Sequence, residues 1–371
     1  MAGTEPPDVT AETGGAYEED LEHDFPVFPG TLLGSDHRIL DFLGEGGFGY
    51  VAKCKNTRTK ISVAVKICKN HPTVIRQAQE ELAVLTSLQT LDPDESGIVR
   101  WLGSFFHEER ICLEFELLDQ SLFDFMEQRR NKPLPMKELR PVVRQLTTAL
   151  AHLESAGIIH ADIKPENIMV VDRRQLPLKV KLIDFGMASH VAAVAPGSCV
   201  PSLWYRAPEV TLGLTVSEAL DVWSLGLVTA ELALGNPLYP AEHEYDLMRF
   251  IVETQGQPAD YLLDSGSKST RFFRKNAEQP CANPWRLKSS EEFSTETGYR
   301  SEETRFFTLS SLDDIEHVGA QLMPRDTEGR RELRELTELV QKMLQLSAGE
   351  RIKPAQVLQH PFFCADLLSD G

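Results

Sequence analysis

Cysteine is scarce in this sequence and is never closely spaced. Only six cysteines occur among 371 residues, and none belongs to a C-x-x-C pair. They are Cys54, Cys68, Cys112, Cys199, Cys281 and Cys364. Disulfide frameworks and zinc sites both depend on recurrent or paired cysteines, so this spacing argues against both and favours a reducing compartment.

Long apolar runs are also missing. No uninterrupted run approaches the roughly 20 residues that a membrane-spanning helix needs. The N-terminus is acidic and lacks the basic and then apolar layout of a signal peptide. We therefore expect a soluble intracellular protein that is neither secreted nor embedded in a membrane.

Positive charge is absent from the beginning of the chain. The formal net charge is −18, and the first 37 residues contain nine Asp or Glu residues but no Lys or Arg. Such an acidic balance argues against non-specific binding of nucleic acid. Residues 1–36 are also rich in Pro, Gly and Thr, which predicts a disordered acidic arm.

The rest of the chain is suited to a large packed core, since 42 % of all residues are hydrophobic. Strand-like alternation dominates residues 38–70, and a helical pattern opens at Pro72. After Asp119 the patterns are mainly helical. The sequence therefore predicts an α+β fold, with a small β-rich lobe of one main helix over about 37–118 and a larger, mainly α-helical lobe over about 119–364.

A glycine cluster separates the first two strand patterns and fits G-x-G-x-x-G-x-V. Glycines let a backbone approach phosphate groups closely. A plain turn is the alternative interpretation of this cluster taken alone. A dinucleotide-binding loop would need a helix directly after the glycines, and a P-loop would need G-x-x-x-x-G-K-[ST]; neither pattern is present. The candidate ATP-binding residues here are Leu43, Gly44, Glu45, Gly46, Gly47, Phe48, Gly49 and Val51.

The next strand pattern ends in V-A-V-K at Lys66, which fits the V-A-I-K motif. A lysine at the end of an apolar strand can simply be solvated, but in this motif its ammonium contacts the α- and β-phosphates of ATP. A carboxylate from the following helix would hold the ammonium. We assign Glu81, because Leu82 and Leu85 then pack inward beside it, and Glu80 is the alternative. Ala64 joins the ATP-binding candidates.

The segment from His160 to Asn167 fits H-x-D-x-x-x-x-N and is the strongest single signal. Phosphoryl transfer needs cradled phosphates, metal ions and an oriented hydroxyl. Asp162 is predicted to accept or orient the substrate proton, Lys164 to offset charge on the phosphate, and Asn167 to hold a metal. A polar loop after a helix is the alternative. His160 itself is expected to pack rather than to act as a base.

Two further motifs follow in order. Asp184 begins a D-F-G sequence after a short strand pattern and would reach the phosphates through Mg²⁺. Glu209 ends an A-P-E sequence and is expected to form a structural ion pair with Arg351. Each motif alone is weak, but the full set in this order predicts an ATP-dependent phosphotransferase with ATP and Mg²⁺ as cofactors.

These motifs make the chain resemble a eukaryotic protein kinase of the CMGC group from about Arg38 to Phe363. Within that group it resembles the homeodomain-interacting protein kinases. The stretches that carry the closer resemblance lie at 160–162, 183–191, 235–240, 244–246, 254–256, 270–273 and 285–288. The resemblance implies the two-lobed kinase fold with a CMGC-type insert at about 256–330, and leaves a short tail at 365–371.

The same resemblance implies further site residues. Phe115 matches the gatekeeper, and Glu116 to Leu118 match the adenine-binding hinge. Ser202 matches a hydroxyl that hydrogen-bonds the catalytic Asp and Lys, and Tyr205 lies in the same substrate-facing activation segment.

The resemblance also implies a function. A lysine at position 164 is typical of serine/threonine rather than tyrosine kinases, and Arg206 matches the arginine that shapes a pocket for proline after the target residue. We expect protein substrates, among them transcription regulators, and no direct contact with nucleic acid or membrane. The expected state is a monomer in the nucleus or cytoplasm.

The activation segment departs from the family pattern. Where members carry an autophosphorylated tyrosine and a phosphate-binding arginine, this chain has Cys199 and Leu203, and Ala161 replaces the arginine of H-R-D, as is usual in the family. A phosphotyrosine brings about −2 of charge that needs arginine partners. We therefore predict that tyrosine phosphorylation does not order this loop: apolar packing of Leu203 and Trp204 orders it, or Ser198 substitutes, or activity is low. The alternative function is a weakly active or pseudokinase-like binding module that competes for partners of longer relatives.

Overall fold

The computed structural model describes residues 25, 27–194, 201–275, 284–322 and 327–363. The strands are β1 (Leu32–Leu33), β2 (His37–Gly46), β3 (Gly49–Asn56), β4 (Ser62–Cys68), β5 (Trp101–His107), β6 (Arg110–Glu116), β7 (Gln120–Ser121), β8 (Ile158–Ile159), β9 (Ile168–Val170), β10 (Val180–Leu182), β11 (Ser189–His190), β12 (Phe273–Lys275) and β13 (Trp285–Leu287). The helices are α1 (Pro72–Leu88), α2 (Leu122–Gln128), α3 (Met136–Ser155), α4 (Pro208–Leu212), α5 (Ala219–Leu234), α6 (Glu244–Gln255), α7 (Asp260–Ser265), α8 (Ser269–Phe272), α9 (Ser290–Thr297), α10 (Asp314–Leu322), α11 (Thr327–Met343) and α12 (Pro354–Val357). This order confirms the predicted α+β fold with a β-rich first lobe and a helical second lobe.

The first lobe is an antiparallel sheet in the order β1-β2-β3-β4-β6-β5, with α1 packed against it. The alternation predicted for β4 has a physical basis. Val63, Val65 and Ile67 are buried on one face, while Ala64 and Lys66 lie on the other face, because side chains alternate along a strand. Helix α1 begins with proline at its first position, where the missing N–H costs no helical hydrogen bond.

The packed first lobe includes residues that the sequence predicts to be part of the arm. Residues 25 and 27–33, here called the N-terminal cap, were assigned to the arm that ends at residue 36. Phe25 and Leu33 are instead buried and pack on Ile39 and Val65 at the outer face of the sheet. The reason is that strand alternation leaves apolar side chains on both faces of this sheet, and the cap covers the face that α1 does not. The more acidic part of the arm, 1–24, lies outside the described residues.

The second lobe is built on α5, which is apolar on nearly all of its surface. Helices α3 and α11 pack against it, and their buried stripes recur with helical spacing. Strands β9 and β10 pair in antiparallel register; the loop that carries Asp162 comes before β9, and Asp184 follows β10. No helix in the described part of the chain is long and apolar enough to cross a membrane.

The polar stretch over 256–330 forms small elements around its aromatic residues. Strands β12 and β13 pair in antiparallel register, and α9 follows with a capping box at Ser289. Phe272, Phe273, Trp285 and Phe293 are buried together against α6. These four aromatic residues therefore form an apolar cluster of the second lobe that is separate from the main core.

Candidate active site

Three charged side chains from three elements meet between the lobes. The Nζ of Lys66, on β4, lies 3.0 and 2.8 Å from the two carboxylate oxygens of Glu81 on α1. The same Nζ lies 2.7 Å from Oδ1 of Asp184, which follows β10. Glu80 is exposed on the outer face of α1, so the phase of the helix selects Glu81 as the partner of Lys66.

The electrostatics of this triad keep Lys66 and Asp184 charged. Burial acts to lower the pKa of Lys66, but Glu81 and Asp184 outweigh it, and the pKa lies above the ordinary value. Burial acts to raise the pKa of Asp184, but Lys66 and the Gly186 amide outweigh it, and the pKa lies below the ordinary value. The site therefore keeps a lysine cation beside a carboxylate in a largely buried setting.

The glycine cluster forms the turn between β2 and β3, with Gly46 paired to Gly49 across the hairpin. A Cβ at Gly46 or Gly47 would meet no atom within 4 Å, so this edge of the hairpin is open toward the cleft. At Gly49 a Cβ would lie 2.1 Å from the carbonyl oxygen of Ile67, which explains why only glycine fits there. The Glu45 carboxylate is 3.3 Å from Lys69.

The sheet face beside the glycine turn is apolar. Val51 pairs with Lys66 and Phe115 pairs with Ala64 across neighbouring strands, so the four side chains share one face. Leu118 and Phe48 are partly buried against the main core, while Leu43 is 48 % exposed at the rim. This face offers a surface for an aromatic base next to the cradle for its phosphates.

The Glu116 side chain connects the hinge to two other segments. Its Oε1 lies 2.5 Å from the Nζ of Lys181 on β10 and accepts a hydrogen bond of 2.6 Å from the Arg100 amide. Lys181 is buried, with only 1 % of its side chain exposed. No sequence pattern pointed to Lys181. It lies in an alternating strand before D-F-G, and nothing local indicates that it contacts Glu116.

The second group of predicted catalytic residues also converges. Oδ1 of Asp162 accepts a hydrogen bond of 2.6 Å from the Ser202 hydroxyl, and Oδ2 lies 2.7 Å from the Nζ of Lys164. The Nδ2 of Asn167 donates to the carbonyl and to Oδ2 of Asp162, both at 2.8 Å. Lys164 also donates to the Ser202 hydroxyl at 3.0 Å.

The loop that carries Asp162 is held from behind by Asp221, a residue that the sequence analysis missed. The Asp221 carboxylate accepts hydrogen bonds from the amides of His160 and Ala161 at 2.7 and 2.9 Å. It was detectable as one of the few charges in the apolar helix α5. Ala161 is held at φ 67°, an unfavourable conformation for a residue with a Cβ.

His160 has a packing role, as expected. Its ring is buried edge-on to Phe185. Nδ1 accepts from the Asp162 amide at 3.2 Å, and Nε2 therefore donates to the Ile183 carbonyl at 2.9 Å. Burial lowers the pKa of His160, so the ring stays neutral. It joins the loop of Asp162 to the strand that ends before Asp184.

The substrate-facing part of the activation segment is fixed by side-chain contacts. Leu203 packs on the main core, and the Trp204 indole donates to the Ala241 carbonyl at 3.1 Å. The Tyr205 hydroxyl donates to the Glu231 carboxylate on α5 at 2.8 Å. Ser198 and Cys199 lie outside the described residues.

Arg206 is buried between a backbone carbonyl and a carboxylate. Its Nε and one Nη donate to the Pro201 carbonyl at 3.0 and 2.8 Å, and its other Nη donates to Glu244 at 2.8 Å. The segment then ends at Glu209, whose carboxylate pairs with Arg351 through two hydrogen bonds of 2.7 and 3.0 Å. Both of these partners are buried, which is the structural ion pair that the sequence predicted.

The residues present fit a nucleotide triphosphate with a divalent metal ion. Gly46 and Gly47 leave room for phosphates, Lys66 supplies a fixed cation, and among the described residues both Lys66 and the Gly186 amide bond Oδ1 of Asp184, so that Oδ2 is our candidate oxygen for a metal. Asn167 donates through its amide nitrogen, so its amide oxygen is the atom available to a cation. Magnesium is typically held by one or two protein oxygens together with phosphate oxygens.

Comparison with known proteins agrees with this geometry. Residues 37–363 match the family described as protein kinase domain. Homeodomain-interacting protein kinase 1 of Mus musculus is 47 % identical over 360 residues, which cover 94 % of this chain and 29 % of that protein. Homeodomain-interacting protein kinase 2 of Mus musculus is 46 % identical over 340 residues, covering 90 % of this chain and 28 % of that protein. For homeodomain-interacting protein kinase 4 of Homo sapiens, identity is 45 % over 335 residues, covering 87 % of this chain and 54 % of that protein. The chain thus spans between 28 % and 54 % of the length of these three curated relatives.

Proposed function

This chain belongs to the protein kinase family and is a relative of the homeodomain-interacting protein kinases, and from that premise we propose that it phosphorylates serine and threonine hydroxyls of proteins with ATP. The observation that carries the proposal is the meeting of Lys66, Glu81 and Asp184 opposite the Asp162–Asn167 pair. Lys164 supports serine and threonine as acceptors, because a lysine at this position is typical of serine/threonine kinases, and both Lys164 and Ser202 contact Asp162 directly.

In this proposal Asp184 and Asn167 would hold a divalent metal, with Mg²⁺ as our candidate, which would offset the charge of the phosphoryl group that ATP would supply. Lys66 holds the phosphates. Asp162 remains an ionised carboxylate and orients the acceptor hydroxyl, since Lys164 and Ser202 outweigh the effect of burial on its pKa and leave it lowered. Lys164 offsets charge on the group in transfer.

We further propose a preference for proline directly after the target residue. We place the residue after the target beside the Pro201 carbonyl, which already accepts two hydrogen bonds from Arg206. A substrate residue with an N–H at this surface would find that acceptor taken and would be left unsatisfied. Proline has no N–H and loses nothing there.

The relatives' names support the choice of partners. They describe kinases that interact with homeodomain proteins, so we propose transcription regulators as substrates of this chain, with work as a monomer in the nucleus or cytoplasm. We also propose that packing of Leu203 and Trp204, rather than a phosphotyrosine, holds the activation segment.

The test compares wild type, Asp162→Asn and Asp313→Asn, the last being the same change at an exposed aspartate of the second lobe. Each is assayed with a Ser-Pro peptide and a Ser-Ala peptide, and each is melted with and without Mg-ATP. We expect transfer by wild type and Asp313→Asn, faster to Ser-Pro, and loss of roughly 10³-fold or more in Asp162→Asn with the Mg-ATP stabilisation retained.

Two outcomes would contradict the proposal in different ways. Equal transfer to both peptides would remove the proline preference alone. Wild type that is stabilised by Mg-ATP but transfers no more phosphate than Asp162→Asn would establish the alternative, a nucleotide-holding binding module.

A further inference from the structure

Helix α1 directs two polar side chains, one turn apart, toward the segment that begins at Asp184. Glu81 reaches it through Lys66, as described above. Gln77 reaches it directly: its Nε2 donates to the Gly186 carbonyl at 2.6 Å and lies 3.5 Å from the Met187 sulfur. Residues four apart on a helix share a face, so both contacts depend on the same position of α1.

Gly186 is held through both of its backbone polar groups. Its N–H donates to Oδ1 of Asp184 at 3.3 Å, while its carbonyl accepts from Gln77. There is little room for it to shift, since even a Cβ on Gly186 would lie 3.1 Å from both Oδ1 of Asp184 and Nζ of Lys66. A displacement of Gly186 therefore changes the surroundings of the Asp184 carboxylate, the candidate metal ligand.

Asp184 also needs support from its neighbours. Its φ is 58°, in the left-handed region that residues with a Cβ rarely adopt. Such a conformation persists only when surrounding contacts impose it. The turn over Phe185–Met187 is packed along α1, and Gln77 makes the side-chain hydrogen bond from α1 to the backbone of that turn.

We propose that Gln77 is a positioning residue of the active site, which fixes the Gly186 peptide and through it the orientation of Asp184. The proposal rests on the proposed function for its effect on catalysis but not for its effect on structure. Without the amide donor, the Gly186 carbonyl loses its partner in a largely buried place, so the turn samples other positions and Asp184 holds a metal less well.

The experiment compares Gln77→Glu and Gln77→Leu with Gln79→Glu and Gln79→Leu. Gln79 is a matched control, because it lies on the same helix with an exposed side chain. Gln77→Glu turns a carboxylate toward the carbonyl, and Gln77→Leu removes the donor without adding charge. Should Gln77→Glu fail to fold, Gln77→Leu decides the question alone.

The first readout is hydrogen–deuterium exchange of the nucleotide-free proteins over residues 184–190. We expect faster exchange there in both Gln77 variants and wild-type exchange in both Gln79 variants. The second readout is the Mg²⁺ dependence of peptide phosphorylation. We expect kcat to fall roughly 10-fold and the Mg²⁺ requirement to rise in the Gln77 variants only.

Wild-type exchange together with wild-type Mg²⁺ dependence in folded Gln77→Leu would overturn the proposal. So would equal changes in the Gln79 variants, because these would reflect α1 as a whole rather than the hydrogen bond. If wild type transfers no phosphate, the proposed function has failed, and the exchange comparison still decides the role of Gln77.

Discussion

Three side chains, those of Lys164, Asn167 and Ser202, donate hydrogen bonds to the Asp162 carboxylate. Lys164 and Ser202 approach from the substrate side, and Asn167 ties the carboxylate to the candidate metal ligands. Burial alone would raise the pKa of Asp162, yet the hydrogen bonds from Lys164 and Ser202 hold it below the ordinary value. The residue therefore stays ionised at physiological pH despite its partly buried position.

This balance predicts a pH effect for Ser202→Ala. A carboxylate with a lowered pKa keeps its charge as pH falls, and activity that depends on the charge is lost only below that pKa. Removing the Ser202 hydroxyl takes away one donor, so the pKa of Asp162 rises and activity is lost at a higher pH than in wild type. The measurement is kcat/KM against pH at saturating Mg-ATP.

Ser155→Ala, which removes an exposed hydroxyl at the end of α3, provides the control and should keep the wild-type profile. An acid limb at the same pH in Ser202→Ala and wild type would show that Asp162 does not depend on this donor.

Residue assignments from the sequence differ in how much they depend on geometry. Lys66 and Asp184 could be located because their motifs are contiguous. Glu81 could be preferred over Glu80 only through the helical phase of its apolar neighbours. Asp221 is conspicuous as a charge in an apolar helix, but its contacts and those of Gln77 could not be identified, because the partners are backbone groups more than 50 residues away in sequence and no local pattern encodes such a contact.

At the scale of elements, the pair of Lys181 and Glu116 joins β10 to the hinge. The lysine is fully buried and the glutamate mostly so, and the same glutamate oxygen also receives the Arg100 amide at the start of β5. A buried charge that loses its partner is strongly destabilising, whereas loss of both partners is tolerated better.

We therefore expect Lys181→Met to lower the free energy of unfolding by roughly 3 kcal/mol, and the double variant Lys181→Met/Glu116→Gln to recover part of that loss. Lys179→Met is the matched control. Lys179 lies on the same stretch, but its side chain is 40 % exposed, and its Nζ makes a long contact of 3.7 Å with the Asp94 carboxylate. Denaturant unfolding measures all three. Equal destabilisation by Lys181→Met and Lys179→Met would rule out a special role for the buried pair.

The segment 201–206 is the second element with a consequence for regulation. Its described contacts run to Asp162, the main core, Ala241, Glu231 and Glu244. Each of them joins the segment to a group of this chain itself. The proposed ordering of this segment by packing therefore leads to a direct test.

We expect that protein dephosphorylated by a phosphatase, as verified by intact mass, keeps the peptide-kinase activity of untreated protein. Autophosphorylation by ATP during the assay is followed in parallel. Leu203→Ala should reduce activity, because it removes apolar contacts with the core. Activity that disappears on dephosphorylation and returns only with a modified loop residue would instead support Ser198 as the substitute.

On the scale of the whole molecule, the two-lobed arrangement could be predicted because strand and helix periodicities separate cleanly near Asp119. The internal structure of 256–330 could not, since its polar composition conceals four dispersed aromatic residues that meet only after folding. The start of the first lobe was placed too late for a similar reason. Acidic residues dominate the composition of the leader, whereas Phe25 and Leu33 decide the packing.

The N-terminal cap thus sets a limit on how the chain can be shortened. The family match begins at His37. A recombinant fragment that began there would retain the catalytic cleft but would expose Ile39, Cys54 and Val65 to solvent. Contiguous apolar surface of this kind drives self-association. Shortened versions that begin before Phe25 keep the N-terminal cap and are the ones to choose for crystallisation and inhibitor screening.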